Sequence, residues 1–179
     1  VDLPINLEIA PTEEMTKIAI NLNPRSVCFV PEKRMEVTTE GGLNIKSNMM
    51  RIEKLLNLLS NSKIKIACFI EPDFSQIDSL KSLGVKILEF HTGSYADAKT
   101  TKMMENKLHL IKEAAKYATE LGFDCHAGHG LNYNNVSKIA SIKEIKELNI
   151  GHFIIGDSIF MGLKNSILKM KDIIKAARK

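Results

Sequence analysis

VKILEFHTGSYADAKTTKMMENKLHLIKEAAKYATELGFDCHAGHG, residues 85–130, is the stretch on which the fold turns. It opens on a short apolar run and closes on another. Between them, Met104, Leu108, Ile111, Ala115 and Ala118 recur at helical spacing and form one stripe, which predicts a helix over 99–122. Gly122 sits just past that stripe, where a helix-ending glycine belongs. Strand, long helix, strand is the pattern of a βαβ unit, whose two strands run parallel.

The same alternation extends in both directions. Strand-like runs fall at 5–10 (INLEIA), 26–30 (SVCFV), 63–71, 85–93, 123–128 and 147–152. Helical segments fall at 12–22, 48–60, 74–84, 99–122 and 135–145, and a last one closes the chain from Leu163. In the second helix Met49, Ile52, Leu55, Leu56 and Leu59 share a face. Thr12 is placed to cap the first helix, with Glu13 and Glu14 in its opening turn, and Gly84 follows the third helix as Gly122 follows the fourth.

Strands alternating with helices make a parallel α/β architecture, either an open doubly wound sheet or a (β/α) TIM-type barrel. An eight-unit barrel takes about 250 residues, roughly 30 per unit. A chain of 179 residues matches six such units. The chain opens on Val1 and enters a strand pattern at once. The expectation is a single (β/α)-barrel domain over 1–179 that lacks the first two βα units, with strands three to eight present.

Composition narrows the class. Hydrophobic residues make up 44% and charged residues 26%, the balance of a soluble globular chain. No apolar run approaches the ~18 residues a bilayer span needs, and no signal peptide is visible, so a cytoplasmic protein is expected. The net charge of +4 comes from lysines scattered along helices, not from a basic stripe with aromatic platforms. Nucleic acid and membrane are therefore not expected partners, whereas anionic small molecules fit the charge. Cys28, Cys68 and Cys125 each lie in an apolar run with no CxxC pair and read as small buried hydrophobes.

Sites in these architectures lie at the C-terminal ends of strands. Three successive strands end in Glu-Phe-His-Thr-Gly, His-Ala-Gly-His-Gly and Asn-Ile-Gly-His. Alternation along INLEIA puts Ile5, Leu7 and Ile9 on one face and Glu8 on the other; aliphatics facing the helices leave Glu8 pointing into a barrel. A carboxylate there is a general base with a raised pKa, or else the structural partner of a buried lysine. Glu89 shares a face with Val85, Ile87 and His91, as a second inward carboxylate or a structural hydrogen-bonding group. His126 and His129 invite a metal reading with His152 and Glu8 or Glu89, but positions three apart on a strand face opposite ways, so no metal is expected. His129 reads better as a positioned acid or base. Gly130 leaves a bare N–H for an anion, and Gly151 with His152 closes the last strand, where barrels often hold phosphate, although tight turns would also explain these glycines. The loop at 31–45 is long enough for a lid and carries Thr38 and Thr39.

VPEKRMEVTTEGGL, EFHTGSYADAK, AGHGLNYNNV, ELNIGHFIIG and NLEIAPTEEM together resemble the pyridoxine 5′-phosphate synthases of the deoxyxylulose-phosphate-dependent vitamin B6 pathway, in order and across essentially the whole chain. The resemblance implies a barrel enzyme that condenses 3-amino-2-oxopropyl phosphate with 1-deoxy-D-xylulose 5-phosphate, without a metal or organic cofactor, as a homo-octamer. It implies that Glu8 is a general base, His129 a proton donor and Glu89 a stabiliser of a transition state. It also implies that Thr38, Gly130, Gly151 and His152 bind the phosphorylated ligands. In the family two earlier strands carry an Asn-x-Asp-His and a His-x-Arg segment, and neither occurs in this sequence. Two other readings compete: a different phosphate-binding barrel enzyme, such as an aldolase or epimerase, and a catalytically inert fragment or assembly subunit. Against an aldolase, Lys63, Lys65 and Lys86 fall at strand starts, the wrong end for a Schiff base.

Overall fold

The structure is a computed structural model that describes residues 2–31 and 41–179. Strands β1 (Asn6–Ile9), β2 (Ser26–Phe29), β3 (Lys65–Ile70), β4 (Ile87–His91), β5 (Asp124–Gly128) and β6 (Ile145–Asn149) form one parallel sheet in sequential order. A doubly wound sheet reverses strand order partway across. No reversal occurs here, so of the two architectures open at the level of sequence the structure takes the barrel type. Among the described residues β1 pairs only with β2 and β6 only with β5.

The helices are α1 (Glu13–Leu22), α2 (Ile45–Leu59), α3 (Phe74–Ser82), α4 (Gly93–Ala96), α5 (Thr101–Glu120), α6 (Val136–Ala140), α7 (His152–Met161) and α8 (Leu163–Ala177). Capping sets several of their starts. Thr12 Oγ1 accepts the Met15 N–H at 3.2 Å. Asn44 Oδ1 accepts the Ser47 N–H at 3.1 Å, and Gln76 of α3 accepts the Ile45 N–H at 2.7 Å. These two contacts begin α2 a turn earlier than its apolar spacing indicates. Gly84 and Gly122 follow α3 and α5 with φ of +75° and +87°, a conformation that favours glycine.

The sheet separates two apolar regions. On the outer face Ile9, Val27, Phe29, Cys68, Ile70, Leu88, Phe90 and Cys125 pack against the buried stripes of α2 and α5, including Ile52, Leu55, Leu59 and Ile111. The inner face holds a smaller group, Cys28, Val30, Ala67 and Phe69, with Ile87 against it. Alternation accounts for the split: Val27 and Phe29 face the helices, and Cys28 faces inward. All three cysteines are buried. Burial pushes the Cys68 thiol up to about 12 and the Cys125 thiol to about 11, so both stay protonated and packed.

Four elements differ from the reading of the sequence. The helix expected over 135–145 stops at Ala140, because the chain must turn to bring Ile145 into the sheet as the first residue of β6; the Ile145 N–H donates to the Ile142 carbonyl at 3.2 Å. The last strand runs from Ile145 to Asn149, not to His152. Gly151 and His152 instead start a helix, α7, with Gly151 at its cap and His152 as its first residue. Its sequence, HFIIGDSIFM, lacks a polar face, and none of its residues is buried. With no two-faced pattern, periodicity had nothing to report. Short α4 was missed because four residues cannot show a helical period.

Candidate functional site

A cavity of about 740 Å³ opens at the C-terminal ends of the strands. Glu8, Glu89, His129, Gly130, Gly151 and His152 all line it. They come from β1, β4, the loop after β5 and the start of α7, so the fold gathers residues that lie far apart in sequence. Thr38 and Thr39, with most of the expected lid, lie outside the described residues.

Glu89 is the most enclosed polar group of the site, 3% exposed. Its Oε2 accepts the Asn149 amide at 2.5 Å and faces the Cys28 thiol at 3.8 Å. A Cβ added to Gly128 would stand 2.3 Å from Glu89 Oε1, so that strand position must be glycine for the carboxyl to fit. Burial, and then the charge of Glu8, push the Glu89 carboxyl up to about 8 against the hydrogen bonds from Asn149 and Cys28. Oε2 accepts both of those hydrogen bonds, and Oε1 lies above Gly128.

Glu8 shares the inner face but stands on an edge strand. It is exposed, contrary to the expectation of a buried carboxylate, because β1 has a neighbour on one side only among the described residues. The protein around it still pushes its carboxyl above the ordinary value by desolvation.

His129 has left-handed backbone, φ +77°, and Gly130 follows at +75°. A non-glycine residue in that region carries strain of about 1–3 kcal/mol unless its surroundings hold it. Thr92 supplies the hold, donating its hydroxyl to the Gly128 and His129 carbonyls at 2.8 and 2.5 Å. Buried Asn135 pins the next turn, donating to the Gly130 carbonyl at 3.1 Å and accepting the Asn132 N–H at 2.8 Å. An added Cβ at Gly130 would meet Ala96 at 2.7 Å. Thr92 and Asn135 thus hold the turn that carries His129.

Gly151, His152 and Phe153 put the N-terminus of α7 on the cavity wall. Among the described residues no side chain caps that helix, and the N–H groups and dipole of a helix N-terminus favour an anion. His126 takes no part: it stands between Asp124 at 3.7 Å and Glu147 at 3.6 Å. Among the described residues no group of three His, Cys, Asp or Glu is placed to hold a metal. The reading of the sequence missed Asn149, Thr92 and Asn135. Each works through a contact across strands or loops, which no local pattern announces.

Fold and cavity together define a barrel-type α/β protein whose strand ends bring two carboxyls, two histidines and a helix N-terminus around one cavity. Solved structures agree on the fold: the KGPDC of Streptococcus mutans superposes with a TM-score of 0.62 at 14% identity, covering 99% of this chain and 74% of that one. The 3-keto-L-gulonate-6-phosphate decarboxylase of Vibrio cholerae gives 0.55 at 11%, covering 97% and 73%. The family model "Pyridoxal phosphate biosynthesis protein PdxJ" matches residues 1–176. The pyridoxine 5′-phosphate synthase of Sulfurihydrogenibium sp. is 50% identical over 178 residues, 99% of this chain and 73% of that protein. The Rhodospirillum rubrum protein of the same name is 44% identical over 177 residues, 99% and 71%. The chain belongs to the PdxJ family.

Proposed function

We propose that this chain acts as a pyridoxine 5′-phosphate synthase, joining 3-amino-2-oxopropyl phosphate to 1-deoxy-D-xylulose 5-phosphate with release of phosphate and water. The observation that carries the reading is the single cavity where Glu8, Glu89 and His129 face the N-terminus of α7. In this reading an amine adds to a ketone, water and phosphate leave, and a carbon–carbon bond closes the ring. Every step moves protons, so groups with different pKa values are needed side by side.

Glu8, open to the cavity and more basic than an ordinary carboxylate, takes the role of general base. His129, held by Thr92 and Asn135, is the proton donor. Glu89 is neutral near pH 7 and offers a hydrogen bond from Oε1 to oxygen that gains charge in a transition state. Gly130, Gly151 and His152 receive phosphate on backbone N–H groups and imidazole, and Thr38 is assigned to the same ligands.

The reading also carries self-association as a homo-octamer and a cytoplasmic location. Ile155, Ile159, Phe160 and Leu163 on α7 and α8 are apolar surface available for assembly. Native mass measurement tests the octamer. Among the described residues no helix is long and apolar enough to cross a membrane.

The test is formation of pyridoxine 5′-phosphate from the two substrates. Product formation that is lost in His129→Ala, with the circular dichroism spectrum unchanged, is the expected result. No product from the wild-type protein under any condition, or full turnover by His129→Ala, overturns the assignment.

A further inference from the structure

Behind His129 stands a pair that the roles above do not use. His91 ends β4 and Glu71 follows β3. His91 Nδ1 lies 2.6 Å from Glu71 Oε1, and the same oxygen accepts the Gly42 N–H at 2.9 Å. Burial pushes the Glu71 carboxyl up, but the hydrogen bonds from His91 and Gly42 outweigh it and hold it below the ordinary value. Glu71 is therefore an anion near neutral pH. A carboxylate only accepts, so His91 carries its proton on Nδ1.

The other nitrogen is the unusual one. His91 is 8% exposed, and its Nε2 is buried with no hydrogen-bond partner among the described residues. An orphaned buried group costs about 1–3 kcal/mol and calls for a reason. Nε2 faces the backbone of Gly93, where an added Cβ would stand 2.4 Å from it and 3.0 Å from Cδ2 of His129. The two imidazole centroids are 4.8 Å apart at 58°, and Phe69 packs edge-on against His91 at 5.3 Å.

We propose that Glu71 and His91 form a positioning pair for His129: Glu71 fixes His91 as the Nδ1–H tautomer, and the lone pair on Nε2 favours the protonated His129 ring. A proton donor must carry its proton before it gives it, and negative potential beside an imidazole raises the share that does. The inference rests on the role given to His129 above. The other ionisable groups at the cavity, Glu8 from β1, Glu89 from β4 and His152 from α7, remain in place in the variants below.

Two measurements on the full protein separate this inference from the function itself. The first needs no substrate: histidine side chains are titrated by 15N NMR in wild type, Glu71→Gln and His91→Phe. The glutamine keeps an acceptor for Nδ1–H but removes the charge; the phenylalanine keeps the ring but removes both nitrogens. The expected result is an Nδ1–H tautomer for His91, and a His129 midpoint lower by about half a unit or more in both variants, the size a neighbouring charge produces. The second is steady-state kinetics. We expect kcat to fall about 10-fold in His91→Phe with KM nearly unchanged, and the alkaline limb of the pH profile to move down in both variants. Gly93→Ala, whose methyl would displace Nε2, gives the same pattern. If the His129 midpoint and the kcat profile stay at wild-type values in both Glu71→Gln and His91→Phe, the pair is packing and the inference is wrong. A wild type that makes no product but shows the NMR shifts sinks the proposed reaction and leaves the pairing intact.

Discussion

Glu8 and Glu89 are the same residue type on the same face of one sheet, three strands apart. Glu89, in the middle, is closed in by Cys28, Asn149 and Gly128 and titrates at about 8. Glu8, at the edge, is exposed and raised by desolvation alone. One sheet thus raises both carboxyls, Glu89 to about 8 by burial and the charge of Glu8, and Glu8 by desolvation alone. Position in the sheet, not residue identity, divides the enclosed carboxyl from the exposed one.

The largest effect that would break this contrast is on stability against pH. A carboxyl whose folded pKa lies above its unfolded value binds its proton more tightly in the native state. Native stability then falls as pH rises from about 4.5 through 8, by at most about 5 kcal/mol for a shift of this size. Urea titrations at pH 5, 6, 7 and 8 should show that fall in the wild type and a flatter profile in Glu89→Gln. A slope unchanged by the substitution would mean that Glu89 ionises normally.

Gly128→Ala comes next. Its methyl would meet Glu89 Oε1 at 2.3 Å and the Asn149 carbonyl at 2.9 Å. A loss of about 3 kcal/mol is expected by chemical denaturation, because strand backbone cannot yield as a side chain can. Asn149→Ala is milder, about 1–2 kcal/mol, and it removes a hydrogen bond that holds the Glu89 pKa down. The carboxyl band of Glu89, followed by infrared difference spectroscopy against Glu89→Gln, should then titrate higher still. The smallest stability change belongs to Glu8→Gln, within about 0.5 kcal/mol because the site is exposed. Its turnover should nonetheless collapse. Wild-type turnover in that variant would make Glu8 a bystander.

Much of the fold was legible in the sequence because it rests on local periods. The stripe from Met104 to Ala118 and the alternation in INLEIA each report an element from its own residues. The strand-end clustering of polar residues pointed to the cavity for the same reason: in parallel α/β folds chain direction alone decides which end faces the site. What stayed hidden was whatever depends on a partner. The α7 start at Gly151–His152 looked like the end of a strand because HFIIGDSIFM shows no two-faced pattern. His91 was visible as a residue sharing the face of Glu89, but its pairing was not, since Glu71 reaches it from the loop after β3 and is itself held by Gly42.

The sequence by itself determined the strand–helix alternation, the inward side of β1 and β4, and the family. Those follow from spacing and from five motifs in order. Only the tertiary structure decided that Glu89 is enclosed while Glu8 stands exposed on an edge strand, and that His129 is held with left-handed backbone by Thr92 and Asn135. It alone set the His91 ring, with a nitrogen that has no hydrogen-bond partner among the described residues, against the ring of His129. The physical reason is the same in each case. Burial, neighbouring charge and hydrogen bonding across strands are properties of assembled space, and no stretch of chain carries them alone.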